Sequence, residues 1–266
     1  MNLSVGIVGL PNSGKSTLFN ALLKRQVADV AAYPFTTIEP NVGIVEVPDE
    51  RLKKLAEMIK PEKVTPAAVQ FIDIAGLVKN AHEGEGLGNQ FLAKIRECDA
   101  LIHIIRGFKD ELVSHYYGSI DPKRDKEIVD IELELGGIKK PTLYVLNQDA
   151  VFPEEGFLSI NAKMGEGVAN LINEAYRLLG LITFYTIKGG KEVRAWSMVK
   201  GSTAFDAAGK VHTDMAQGFI KAEVAALADL MAMEGWQPAK AKGKVRLEGR
   251  DYQIQDGDVV EFKFGK

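Results

Sequence analysis

The sequence predicts an α/β protein: a doubly wound domain over residues 1–181 and a smaller β-rich module over residues 182–266. Three observations predict it. Apolar runs of strand length alternate with segments of helical period as far as residue 179. A glycine-rich turn joins the first apolar run to the first helical one. Beyond residue 183 the pattern changes to short alternating strands.

The turn is the most informative stretch. Residues 9–16 read Gly-Leu-Pro-Asn-Ser-Gly-Lys-Ser and fit G-x-x-x-x-G-K-[ST], the phosphate-binding P-loop. Gly9 and Gly14 let the backbone curl around a β-phosphate, Lys15 reaches β/γ oxygens, and the Ser16 hydroxyl suits Mg²⁺. A strand over residues 3–8 precedes it. Leu18, Ala21 and Leu22 follow at helical spacing, so a helix from near Lys15 aims its positive end at the phosphates. Pro11, Asn12, Ser13, Gly14, Lys15, Ser16 and Thr17 are the candidate nucleotide cradle.

Composition bounds the rest. Of 266 residues, 46% are apolar and 26% charged, the balance of a soluble globular chain. No apolar run approaches the ~20 residues of a membrane span. Met1 runs directly into the first strand, which leaves no room for a signal peptide. The lone Cys98 excludes an intramolecular disulfide framework. These features point to the cytoplasm. The net charge of −3 does not announce DNA, although a slight basic excess after residue 183 hints at an anionic partner there.

In chain order, residues 26–41 carry two prolines and paired threonines and read as a switch loop. Thr37 is the first choice for a second Mg²⁺ ligand and Thr36 the alternative. A strand at 42–47 and a helix at 50–60 capped by Asp49 follow. The strand at 69–74 ends in Asp-Ile-Ala-Gly. Asp73 can hold Mg²⁺ through water, and the Gly76 amide can sense a γ-phosphate. Ras-like enzymes place a water-orienting glutamine next, where this chain has Leu77. Residues 79–88 look like a mobile second switch, and 89–97 like a helix. His103, inside the apolar strand at 99–108, reads from pattern as a core residue, whereas His82 in the glycine-rich loop is better placed near a γ-phosphate.

A helix at 124–135 and a strand at 141–147 come next. That strand ends in Asn147, Gln148, Asp149 and Ala150, where guanine readers carry N-K-x-D. The carboxylate of the fourth position is missing, so the base choice is open. Asn161 and Ala162 stand where related enzymes carry a base-supporting S-A-K turn, between a strand at 156–160 and a helix at 165–179. In the C-terminal module, 183–187 and 192–199 read as one hairpin and 251–264 as another, turning at Asp256 and Gly257. Residues 220–231 fit a helix or a strand followed by a helix. Lys240, Lys242, Lys244, Arg246 and Arg250 form either a solvated face or an RNA contact.

These motifs resemble the YchF subfamily of Obg-like ATPases. The resemblance rests on residues 9–21, 33–41, 73–78 and 84–91, and on the C-terminal stretches 193–196, 208–214, 218–222 and 248–252. It implies a P-loop NTPase domain with a small β-grasp-like TGS domain, ATP preferred with GTP possible, and association with the ribosome. It implies Mg²⁺ on Ser16 and Thr37, phosphates on Lys15, the γ-phosphate region on Asp73 and Gly76, and catalytic weight on Asn12, where K⁺ could add charge, and on His103. It favours strand-then-helix over residues 219–231. The subfamily's long helical arm is absent, its gap bridged by residues 134–140, and Ala150 replaces the last residue of its base motif. Two further readings stand beside a slow ATPase: a nucleotide-gated ribosome-binding module with negligible turnover, and an Obg-type GTPase.

Overall fold

The computed structural model describes residues 3–26, 41–74 and 87–265. In chain order they form β1 (Ser4–Val8), α1 (Lys15–Leu23), β2 (Val42–Glu46), α2 (Glu50–Ile59), β3 (Lys63–Thr65), β4 (Ala68–Asp73), α3 (Leu87–Glu97), β5 (Ala100–Arg106), α4 (Pro122–Leu135), β6 (Thr142–Asn147), β7 (Leu158–Ile160) and α5 (Val168–Leu178). The chain continues with β8 (Leu181–Lys188), β9 (Glu192–Val199), α6 (Ala204–Val211), α7 (Thr213–Gln217), β10 (Phe219–Ala226), α8 (Leu227–Ala232), α9 (Trp236–Ala241), β11 (Arg246–Glu248) and β12 (Asp258–Phe264).

Two compact units result: residues 1–47 with 69–179, and residues 48–68 with 180–266. The first holds a six-stranded sheet in the order β2-β4-β1-β5-β6-β7. The pairs β1–β4, β1–β5, β5–β6 and β6–β7 are parallel. Strands buried on both faces read as unbroken apolar runs, and β5 is buried at every residue. On one face Val8, Leu10, Leu101, Val129 and Leu133 share a core with Cys98, whose thiol is buried there. Parallel order brings the C-terminal ends of β1, β4, β5 and β6 to one edge, where ligands of such sheets bind.

The second unit has the sheet order β11-β10-β12-β8-β9-β3. β8 and β9 form the expected antiparallel hairpin, from Leu181↔Val199 to Lys188↔Glu192. Residues 219–232 are strand then helix, β10 and α8. The hairpin expected around Asp256 and Gly257 does not form. β12 lies antiparallel to β10 and parallel to β8. The chain before it is held by distant partners instead: the Ile254 N–H donates to the Ser202 carbonyl and the Gly257 N–H to the Thr183 carbonyl. Ile254 thereby enters a core with Phe184, Trp196, Val224 and Phe262.

Two further differences concern residues 203–217 and 48–68. Sequence reasoning assigns no element to residues 203–217. α6 starts there with a reciprocal capping box, in which the Thr203 side chain bonds the Asp206 N–H and the Asp206 side chain bonds the Thr203 N–H. Residues 48–68 lie within the first domain by chain order, yet they fold with the second unit. β3 pairs in parallel with β9, and the Asp49 N-cap of α2 accepts from the Arg51 N–H and from the Tyr185 hydroxyl.

Candidate functional site

The residues that follow β1 adopt a backbone few sequences permit. Gly9, Asn12 and Gly14 have φ of 154°, 63° and 98°. A Cβ on Gly9 would lie 2.3 Å from the Ile104 carbonyl oxygen, and one on Gly14 2.3 Å from Asn147 Nδ2, so both glycines are required by space as well as by φ. Gly14 is the N-cap of α1 and offers no side-chain oxygen to the first helical turn. The amide donors of that turn remain available to an anion, and the helix dipole favours one.

Lys15 opens α1, and only 8% of it is exposed. Its Nζ donates to the carbonyls of Gly9 at 3.0 Å and Leu10 at 2.8 Å. Burial lowers its pKa to about 8, and the Asp73 carboxylate partly counters this. Ser16 and Thr17 are exposed on the same turn. The Ser16 hydroxyl donates to Asp73 Oδ2 at 3.3 Å, and burial raises the Asp73 pKa against the pull of Ser16 and Lys15. A phosphate-seeking ammonium, a hydroxyl and a carboxylate are thus gathered at the ends of β1 and β4. Thr36, Thr37, Gly76, Leu77 and His82 lie outside the described residues.

The far side of the loop is tied to the turns after β6 and β7. Asn147, buried at the end of β6, donates through Nδ2 to the Ser13 carbonyl at 3.2 Å and accepts at Oδ1 from the Ala162 N–H at 3.0 Å. Gln148 is buried and donates to the Phe152 carbonyl. Asn161 donates to the Asp149 carbonyl and accepts from the Met164 N–H. Sequence reasoning therefore placed Asn147, Gln148, Asn161 and Ala162 together in space, as the structure does.

His103 is different. It is 1% exposed in β5, its ring lies 5.7 Å from that of Tyr144, and Nδ1 is 3.7 Å from Asp130 Oδ1, too far for a hydrogen bond. Burial lowers its pKa, which keeps the imidazole neutral. This is the core environment that its apolar strand suggested.

Sequence reasoning missed the group beside it. Leu10, Pro11 and Ser13 of the loop line a crevice with His103, Arg106, His115 and Asp125. Arg106, 3% exposed, donates to the carbonyls of Phe108, Val113 and Ser114, and Asn12 Nδ2 donates to the same Ser114 carbonyl at 3.1 Å. His115 Nδ1 accepts from the Tyr117 N–H, which leaves Nε2 to donate to Asp125 Oδ2 at 2.7 Å. The segment after β5 is thereby clamped to the loop. A buried arginine closing the apolar run of β5 was the available signal.

Comparison with known proteins agrees with this geometry. The MMR_HSR1 family, described as 50S ribosome-binding GTPase, matches residues 4–148. YchF-GTPase_C, described as a protein of unknown function, matches residues 181–265. The protein named ribosome-binding ATPase YchF of Bacillus subtilis (strain 168) is 38% identical, over 99% of this chain and 100% of that one. This chain belongs to the YchF family. Its YchF relative from Escherichia coli O157:H7, which carries the same name, is 36% identical over 99% of each chain. Among solved structures, the Schizosaccharomyces pombe YchF GTPase superposes with a TM-score of 0.80 at 28% identity, over 98% of each chain. The α/β P-loop GTPase fold of the first unit follows from both comparisons.

Proposed function

We propose that this chain is a Mg²⁺-dependent nucleoside triphosphatase that hydrolyses ATP, accepts GTP, and binds the ribosome according to its nucleotide state. The observation that carries the reading is the buried Lys15 ammonium held on P-loop carbonyls beside the Ser16–Asp73 pair. The name shared by relatives that match along the whole chain supports the ribosome as partner. Lys15 and the first-turn amides of α1 would take the charge of the β- and γ-phosphates, and Asn147 would hold the loop in register with the base side.

Ser16 and Asp73 fit a hard divalent cation. Both offer oxygen, and among the described residues no cluster of three His, Cys, Asp or Glu competes for one. Mg²⁺ is usually held by one or two protein ligands plus phosphates, and it neutralises charge on the transferred group. Thr37 completes the proposed set from sequence. K⁺ is proposed at Asn12, whose amide donates to Ser114 and so leaves Oδ1 as the acceptor. Catalytic weight is proposed on Lys15, Asn12 and His103, the last buried in β5 and lining a crevice with Leu10, Pro11 and Ser13 of the loop.

Residues 182–266, with 48–68, are proposed as a TGS-like module facing ribosomal RNA. Its basic cluster is partly spent, since Lys240, Lys244 and Arg246 pair with Glu223, Asp229 and Glu248. Affinity through this face should therefore depend weakly on salt. Loss of the subfamily's helical arm is supported by an alignment spanning 366 positions against the 266 residues of this chain. No described helix is long and apolar enough to cross a membrane, which accords with the proposed cytoplasmic site.

Leu77 cannot orient an attacking water, so turnover by the isolated chain should be slow. Hydrolysis and co-sedimentation with ribosomes, each measured with ATP, with ADP and without nucleotide, test the function. Ribosomes should raise turnover by about tenfold or more, well within what a group supplied in trans can add. Failure to co-sediment in every nucleotide state would refute the ribosome reading. Turnover at background with ribosomes present would favour the gated binding module.

The Lys15 pKa of about 8 sets a pH dependence. Between about pH 8 and the ordinary lysine value near 10.4, the unfolded chain holds a proton that the folded one lacks. The nucleotide-free fold thus gains stability from this group as pH rises through that window. A bound triphosphate favours the ammonium, so binding takes up a proton there and weakens as pH rises. Calorimetric titration with ATP at pH 9, in two buffers of different ionisation enthalpy, should detect the uptake. Equal heats in both buffers would show that Lys15 is already charged.

A further inference from the structure

Arg106 closes β5 as a buried residue, and the chain then runs without a described helix or strand to α4. Taking a guanidinium out of water is costly, so its partners show what it is kept for. Asp125, the carboxylate that lines the same crevice, is held by His115 and Arg124 instead. Arg106 gives its donors to three carbonyls of the segment that follows it. Nε donates to Phe108 at 3.1 Å, Nη2 to Val113 at 2.7 Å and Nη1 to Ser114 at 3.3 Å. The guanidinium also lies 4.4 Å from the centre of the Phe108 ring, within cation–π range.

Two of the residues so held meet the P-loop. The Ser114 carbonyl also accepts from Asn12 Nδ2 at 3.1 Å, which fixes the amide of an exposed residue. The Phe108 ring closes on Gly14, where a Cβ would lie 3.8 Å from Cε1. Asn12 and Gly14 are the two left-handed residues at the crown of the loop, with φ of 63° and 98°. The Lys109 N–H on Asp149 and His115 on Asp125 tie the segment to other parts of the domain. Arg106, by contrast, holds both residues that meet the loop.

We infer that Arg106 is a positioning residue for nucleotide hydrolysis, which it serves by holding Phe108 and Ser114 against Gly14 and Asn12. The inference rests on the proposed hydrolysis at this loop. Arg106 acts through Asn12 rather than as a charge on the phosphates. An amide fixed in place meets the transferred group already oriented, and a displacement of about 1 Å can cost about 10²-fold in rate. Triphosphate binding rests on Lys15 and the first-turn amides of α1, and the Lys15 bonds do not pass through Arg106. Binding should therefore change little when Arg106 is lost. A lysine in its place keeps the charge but lacks the planar fork that serves three carbonyls at once.

The test is a double-variant cycle on the full chain, with kcat and KM for ATP measured in the presence of ribosomes. Arg106→Gln and Asn12→Ala should each lower kcat by about 10²-fold and leave KM within about threefold of wild type. The double variant should be within about threefold of the slower single variant, because both changes release the same amide. Arg106→Lys should fall with Arg106→Gln rather than with wild type. It takes the place of Arg106→Gln in the cycle if the glutamine variant loses its far-ultraviolet circular dichroism. Losses that multiply to about 10⁴-fold would show that Arg106 acts apart from Asn12 and overturn the inference. Wild-type turnover in Arg106→Gln, or a raised KM at unchanged kcat, would overturn it as well. Background turnover by the wild type would overturn the hydrolysis itself, and the inference would fall with it.

Discussion

Lys15→Ala is expected to abolish nucleotide hydrolysis in a chain that remains folded. Its Nζ lies on the Gly9 and Leu10 carbonyls, within the loop that would enclose the phosphates, and it is the cation there. Removing one preorganised donor from a transition-state site typically costs 10²–10³ in turnover, and weaker triphosphate binding adds to that. Stability should change little because two effects oppose. The variant leaves two carbonyls without a partner, at about 1–3 kcal/mol if each is buried. It also removes an ammonium whose pKa, lowered to about 8, records the cost of burying its charge. Hydrolysis should be followed beside far-ultraviolet circular dichroism and a thermal melt. Turnover within threefold of wild type would refute the role of Lys15, whereas loss of the dichroism signal would mean that the lysine is structural.

What could be read from sequence divides along the range of the interactions. The P-loop was legible because its whole signal is local: an apolar strand, two glycines at fixed spacing, and a helix opening with Lys15. The Asp49 cap was legible for the same reason, since its acceptor lies two residues from the Arg51 donor. Asn147 was found because its position after a buried strand is fixed in such folds, although its bond to Ser13 spans 134 residues. The clamp of Arg106 and Asn12 on the Ser114 carbonyl was not legible, because no local pattern says which carbonyl a buried guanidinium will meet.

The misread hairpin has the same origin. Asp256 and Gly257 do form a turn, but β12 continues beside β8 and β10 rather than folding back on residues 251–255. Asp256 Oδ1 instead accepts from the Thr183 N–H, 73 residues away. Of the two histidines weighed, His103 follows its strand pattern into the core, and His82 lies outside the described residues along with Thr37 and Gly76. The capping box at Thr203 and Asp206 was written in the sequence at the standard spacing, although no element was assigned to the residues around it.

Asp49→Ala should destabilise the second unit strongly. One carboxylate serves four donors: the Arg51 N–H at 2.9 Å, the Arg51 guanidinium at 3.0 and 3.2 Å, and the Tyr185 hydroxyl. Loss of an N-cap costs about 1 kcal/mol. Tyr185 is fully buried, so its hydroxyl would lose a charged acceptor with no route to solvent, about 1.5–3 kcal/mol. The ion pair with Arg51 adds little, because the arginine side chain is 40% exposed. Together these give about 2–4 kcal/mol. Asp256→Ala should cost roughly 1 kcal/mol, since that side chain is 49% exposed, though it accepts from Arg51 and from the Thr183 N–H. Both tryptophans, Trp196 and Trp236, belong to this unit. Urea unfolding followed by their fluorescence therefore reports on it selectively, and Asp49→Ala should move the midpoint further than Asp256→Ala. Equal shifts, or the reverse order, would show that α2 is held by the apolar contacts of Leu52 and Leu55 rather than by the Asp49 cluster.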